Sequence, residues 1–191
     1  MSLLESFART IGFVFAAGVN LYATVAILGL ASRYEWVDLP PQYRAFDNDW
    51  IIGAAVVLYL VEFVADKIPW LDTVWDVIHT AIRPVGGAVI AVAAIGDASP
   101  TLQAVAAIVG GALASSSHAA KASTRVAVNT SREPLSNWML SLFEDGFVVA
   151  LSVLALTHPL AAGGVVVAGL FLILAGAVWL VRRFRRRSAN A

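Results

Sequence analysis

Long apolar stretches separated by short clusters of charge, proline and glycine recur along the whole chain, and no other feature constrains its fold as tightly. They fall near 9–31, 50–66, 74–96, 101–122, 136–157 and 160–181. A helix needs about 20 mostly apolar residues to cross a bilayer, so the pattern predicts an all-α integral membrane protein of about six transmembrane helices. Composition agrees. The chain is 59% hydrophobic and 14% charged, with a mean hydropathy of +0.77, whereas soluble domains carry about 25% charged residues. Over 191 residues the spans leave no length for a separate soluble domain. One polytopic membrane domain over 1–187 and a short cytoplasmic tail over 188–191 are expected. Arg9 before the apolar run Ile11–Leu30 has the order of a signal peptide, but the run is as long as a full span and is read as one.

Lys and Arg accumulate on the cytoplasmic side of membrane proteins. Arg182, Arg183, Arg185, Arg186 and Arg187 place the C-terminus there, and six crossings then bring the N-terminus and Arg9 to the same side. Lys67, Lys121, Arg125 and Arg132 fall on that side too, with only Arg33 and Arg44 outside. Tryptophan prefers the headgroup region. Trp36 and Trp50 flank outer span ends, and Trp70, Trp75, Trp138 and Trp179 flank inner ones. The sequon-like Asn129-Thr130-Ser131 is then cytoplasmic, where no glycan is added.

Ionisable side chains within spans cost about 2.5–3.5 kcal/mol each at the centre of a helix on insertion scales, so each needs a partner, a water-filled cavity or a function. Asp72, Asp76, His79 and Arg83 follow one another at spacings of four, three and four residues, and His118, Lys121, Arg125 and Asn129 at three, four and four. Each set forms one helical stripe, and the two stripes are expected to face each other across a helix interface. Glu62 and Asp66 lie four apart at the inner end of the second span, and Glu144 and Asp145 lie within the fifth. Asn20 sits near the middle of the first span, where its amide could bond across helices. Arg83-Pro84-Val85-Gly86-Gly87 is expected to break the third helix. A faint similarity between halves, Asn20 then Glu62 against His118 then Glu144, suggests two inverted three-helix repeats.

Several segments together resemble one family: Gly18-Val19-Asn20-Leu21-Tyr22-Ala23-Thr24, Glu62-Phe63-Val64-Ala65-Asp66-Lys67-Ile68-Pro69 and Trp75-Asp76-Val77-Ile78-His79-Thr80-Ala81-Ile82-Arg83-Pro84, followed by His118-Ala119-Ala120-Lys121-Ala122-Ser123-Thr124-Arg125. The family is the bacterial membrane-protein family described as domain of unknown function 4126. The resemblance spans nearly the whole chain and implies a membrane location and a bacterial origin. It brings no established activity.

Zero formal net charge gives no basic field for nucleic acid, and the absence of cysteine removes disulfides and thiol chemistry. No phosphate-binding loop, dinucleotide fingerprint, His-Glu-x-x-His helix or Gly-x-Ser-x-Gly turn occurs. No cofactor is called for, and an enzyme is the weaker expectation. His79 and His118 with Glu62 or Glu144 could take a divalent ion, but the metal question stays open. Three readings remain. In the first, a small secondary transporter or channel of the bacterial inner membrane carries an ion or small polar solute, its site drawn from Asn20, Glu62, Asp66, Asp76, His79, Arg83, His118, Lys121, Arg125, Glu144 and Asp145. In the second, a lipid-handling protein or enzyme holds a lipid phosphate at Arg83, Lys121 and Arg125. In the third, all these charges are structural in a membrane scaffold. The bilayer is the expected partner in each, and assembly as a homo-oligomer is left open.

Overall fold

A computed structural model of the chain describes residues 2–129 and 134–189. Thr130, Ser131 and Arg132, the side chains of Arg186 and Arg187, and residues 190–191 of the expected tail lie outside the described residues. The described residues are almost entirely helical and contain no strand. In chain order the helices are α1 (Leu3–Val19), α2 (Leu21–Arg33), α3 (Asp49–Ala65), α4 (Pro69–Ile95), α5 (Pro100–Asn129), α6 (Pro134–Thr157) and α7 (Pro159–Ala189), with a 3₁₀ turn at Pro41–Phe46 between α2 and α3.

The first apolar stretch is not one helix. Ser2 and Glu5 close a reciprocal capping box at the start of α1, and the helix stops at Val19 because Asn20 is extended, with φ −147° and ψ 102°. The Asn20 side chain accepts from the Ala23 amide at 3.0 Å and so becomes the N-cap of α2. The chain then doubles back. Arg9 donates to the Asp38 carbonyl at 3.3 Å, the Thr10 and Tyr43 hydroxyls lie 3.1 Å apart, and the Phe13 and Tyr43 rings meet edge-on at 6.0 Å. The segment after α2 therefore returns to the level at which α1 began. Thirteen residues make α2 about 20 Å long at 1.5 Å per residue, short of the roughly 30 Å hydrocarbon thickness. The expected first crossing is a helical hairpin with its tip at Asn20.

This hairpin is the centre of the bundle. Phe13 through Val19 are all buried, and α1 packs against α4, α5, α6 and α7. Close approach at the tip depends on Gly18, where a β-carbon would run into Ser117 Oγ and the Ala114 carbonyl of α5. At the opening of the hairpin, Arg9 Nε and Nη2 donate to the carbonyls of Ala155 and Leu156, each at 3.1 Å, so a buried guanidinium caps the last turn of α6. Ala8 lies against Gly163, Gly12 against Ala162 and Phe15 against Gly169, so α7 runs parallel to α1 and continues past its tip. The start of α1 and the arginine-bearing end of α7 consequently lie at opposite ends of the bundle. This packing does not place both termini on one side.

Two further expectations are corrected. α4 continues unbroken through Pro84, Gly86 and Gly87. Proline removes one amide donor, yet the helix is held on both sides of it by the tightest helix pairing in the bundle, that of α4 with α5. Gly87 serves close packing there: its carbonyl oxygen would lie 2.7 Å from a β-carbon on Gly110, so a larger residue at 110 would force the helices apart. The first elements of the expected inverted repeat also differ. α5 is one continuous helix of 30 residues at the place where the first half has a bent hairpin.

Burial is arranged the opposite way to that of a protein in water. On α4, Val74, Val77, Ile78, Ile82, Val85 and Val89 are exposed while Asp72, Asp76, His79 and Arg83 are buried; on α3, Val57, Leu60, Val61 and Val64 are exposed while Glu62 and Asp66 are buried. Among the described residues three helical segments are long and apolar enough to cross a membrane, Pro69–Ile95, Leu135–Thr157 and Pro159–Arg183, with Leu21–Arg33 a shorter apolar one. The chain thus has the helices of a membrane protein, but six crossing helices are not what it shows.

Candidate functional site

Four helices and the hairpin tip deliver polar side chains to one interior region between mid-height and the end of the bundle where α7 finishes. Helical periodicity explains the delivery. The stripe of α4 and the stripe of α5 are turned toward each other and are buried along their length. α3 contributes Glu62 and Asp66, and α6 contributes Asn137, Ser141, Glu144 and Asp145.

Arg83 is the hub nearest the hairpin. Its Nη2 donates to Glu62 Oε1 at 2.6 Å, and its Nη1 reaches His118 Nδ1 at 2.6 Å, the Gly18 carbonyl at 3.3 Å and Asp76 Oδ1 at 3.4 Å. The guanidinium therefore joins α3, α4, α5 and the last turn of α1. Lys121 bridges to the next layer, 3.2 Å from Glu62 Oε1 and 3.0 Å from Asp66 Oδ2. Arg125 completes it. It lies 3.0 Å from Asp66 Oδ2, donates to the Asp66 carbonyl and Asn137 Oδ1 at 3.0 Å each, and pairs through Nε and Nη2 with Glu144 Oε2. Asn129 donates to Asp72 Oδ2 at 2.6 Å, and Asn20 to Asp145 Oδ1 at 3.2 Å. Lys67 stands at the margin, over the Phe63 ring and 3.3 Å from the Ser141 hydroxyl.

Hydrogen-bond chemistry constrains both central imidazoles. A carbonyl can only accept, so His79 Nδ1–H donates to the Trp75 carbonyl at 2.7 Å, while Nε2 lies 2.9 Å from the Tyr22 hydroxyl, which can donate to it or accept from it. A guanidinium can only donate, so His118 Nδ1 accepts from Arg83 and Nε2–H donates to Thr80 Oγ1 at 3.1 Å. His118 is therefore neutral with its proton on Nε2, and His79 carries a proton on Nδ1. They differ in how a proton would be received: Tyr22 can turn its hydroxyl to accept from a charged His79, whereas a proton on His118 Nδ1 would expel Arg83.

Six buried carboxyl groups, Glu62, Asp66, Asp72, Asp76, Glu144 and Asp145, face three buried side chains that are cations at neutral pH, Arg83, Lys121 and Arg125. Glu62 Oε2, Asp66 Oδ1, Asp72 Oδ1, Asp76 Oδ1 and Asp145 Oδ2 accept no hydrogen bond. A buried excess of negative charge is costly, and protons or other cations relieve it. Among the described residues no three metal-ligating side chains converge on one point, and each imidazole nitrogen has a protein partner, so the divalent-ion set of His79, His118 and an acid is not assembled.

All eleven candidate residues from the sequence lie in this region. The sequence reading missed Tyr22 as a partner of His79, Asn137 and Ser141 as part of the α6 face, and the backbone carbonyl of Gly18. Asn137, Ser141 and Glu144 follow at spacings of four and three, the stripe signal already visible on α4 and α5. Trp75 is half-buried, and its ring stacks on His79 with centroids 4.7 Å apart.

Residues 7–183, from the first helix to the arginine-bearing turn of the last, match the family model described as domain of unknown function (DUF4126). The chain belongs to this family. The match includes every residue of the buried cluster, so the hairpin and the four helices around it lie within the family's own domain. No curated protein and no solved structure matches the chain.

Proposed function

We propose that this chain is a small proton-coupled transporter or proton channel of a bacterial inner membrane, with the buried carboxyl-rich cluster as its binding site. The observation that carries the reading is the imbalance of six carboxyls against three cations beside the tip of a helical hairpin. Groups that must be neutralised inside an apolar surround are groups that take up and release protons, and a helix interrupted at that depth is how many transporters place backbone polar atoms at a site. The bundle would sit as a single polytopic domain in which α3 to α7 cross and α1 with α2 enters and leaves on one side. Lys67 and Arg182, Arg183 and Arg185 mark the cytoplasmic end, which puts the start of α1 outside.

A lipid-phosphate site is less well supported, because Arg83, Lys121 and Arg125 are each engaged by carboxylates and none is left to hold a phosphate. A static scaffold differs from a proton-coupled site in its response to conservative change. Glu62→Gln and His79→Gln keep volume and part of the hydrogen bonding while removing titration. In proteoliposomes with an entrapped pH dye, a potassium diffusion potential is expected to drive proton uptake by the native chain. Both variants should fold and lose most of that uptake. Native-level uptake with an unchanged pH profile in both would leave the ion-pair network purely structural.

A further inference from the structure

We propose that Asp76 is the group through which protons reach the cluster, and that they arrive from the end of the bundle bearing the arginine-rich tail, along a cleft between α4 and α5. The proposal rests on the proton-coupled reading above and adds a route and a first acceptor to it. The cleft is lined by Thr73, Asp76, Thr80, Ala122, Arg125 and Asn129, with two valines, and has a volume of about 90 Å³. That is room for a few waters, with Thr73, Asp76, Thr80, Arg125 and Asn129 as the polar groups on a lining whose accessible surface is mostly apolar. Thr73 and Asn129 stand at its outer end, within 3.3 Å of each other, and Thr80 and Ala122 lie two turns further in.

Among the described residues Asp76 is the one carboxylate lining this cleft, and it is 6% exposed. Its Oδ1 accepts no hydrogen bond and lies 3.4 Å from Arg83 Nη1. The other charged or titratable groups around it are Asp72 on its own helix, His118, Lys121 and Arg125 on α5, and Asp66 on α3. A hydronium in the cleft gives its proton to the Asp76 carboxylate, leaving water and a neutral acid. Arg83 then loses one of its two acidic partners while keeping Glu62, His118 and the Gly18 carbonyl. Proton arrival is thereby felt at the guanidinium that holds the hairpin tip.

Two measurements on the full-length protein in membranes test this. The native chain has no cysteine, so Ala122→Cys in the cleft and Val85→Cys on the exposed apolar face of α4 can be compared with a charged, membrane-impermeant methanethiosulfonate applied from the tail side. The cleft position should react at least about tenfold faster, since only a hydrated thiol ionises to the reactive thiolate. Should Ala122→Cys fail to fold, Thr73→Cys replaces it. In infrared titration, one component of the carboxylic-acid carbonyl band that grows on acidification should be present in the native protein and in Asp145→Asn and be missing in Asp76→Asn. Equal thiol reactivity at the two positions overturns the route, and an acidification band identical to the native one in Asp76→Asn overturns the acceptor. If both results hold while no proton uptake is seen in proteoliposomes, the transport reading fails and the route stands.

Discussion

Replacing Arg83 with alanine is expected to destabilise the protein by about 3–5 kcal/mol, the range for stripping one partner from a buried ion pair. The guanidinium is fully buried and lies 2.6 Å from a fully buried Glu62. Removing it leaves that carboxylate with Lys121 alone, and deprives His118 and the Gly18 carbonyl of their donor. Glu62→Ala alone should also be costly, because it leaves Arg83 facing Lys121 with less compensating charge. The double variant should lose less than the sum of the single variants, by about 0.5–3 kcal/mol of coupling. Denaturant unfolding of the four proteins in one detergent measures this. Additive losses would show that the 2.6 Å contact carries no net coupling.

The second large effect is all-or-none. A cysteine placed at Ser2 should be labelled by an impermeant maleimide added to intact cells, and a cysteine at Ser188 should be labelled only after the membrane is opened. The hairpin dictates the difference, since Arg9 and Thr10 lie against Asp38 and Tyr43 while α7 runs on to the opposite end. Protection of Ser2→Cys in intact cells together with protection of Ser188→Cys would restore a straight first crossing, and labelling of Ser188→Cys from outside would invert the whole arrangement.

What the sequence made legible was whatever repeats with the helical period. Asp72 to Arg83 and His118 to Asn129 each return to one face every three or four residues, and an apolar surround leaves charged faces only one direction to point. The first helix break was not legible, because the run from 9 to 31 has the length of a single span and Asn20 by its type alone could equally pack within a helix. What decides for a bend is tertiary: Asp145 of α6 and Arg83 of α4 receive the polar groups that the bend exposes. The same kind of cause reverses the expectation at Pro84, where α5 lies close enough to keep α4 whole. Tyr22 and His79 are 57 residues apart. No local pattern announces their contact.

The hairpin also sets an order of assembly. Residues Leu3–Arg33 leave the ribosome before α4, α5 and α6, yet the groups that satisfy their tip belong to those three helices. Until those arrive, Asn20 and the loose carbonyls around it have only water or headgroups as partners, and α2 is too short to settle as a span by itself. The hairpin should therefore wait at the membrane surface and dock late, into a cavity that the helices made after it build. Nascent chains halted before Pro134 should leave a cysteine at Asn20 open to an impermeant label, and chains carrying α6 and α7 should hide it; early protection would mean that the hairpin settles without them.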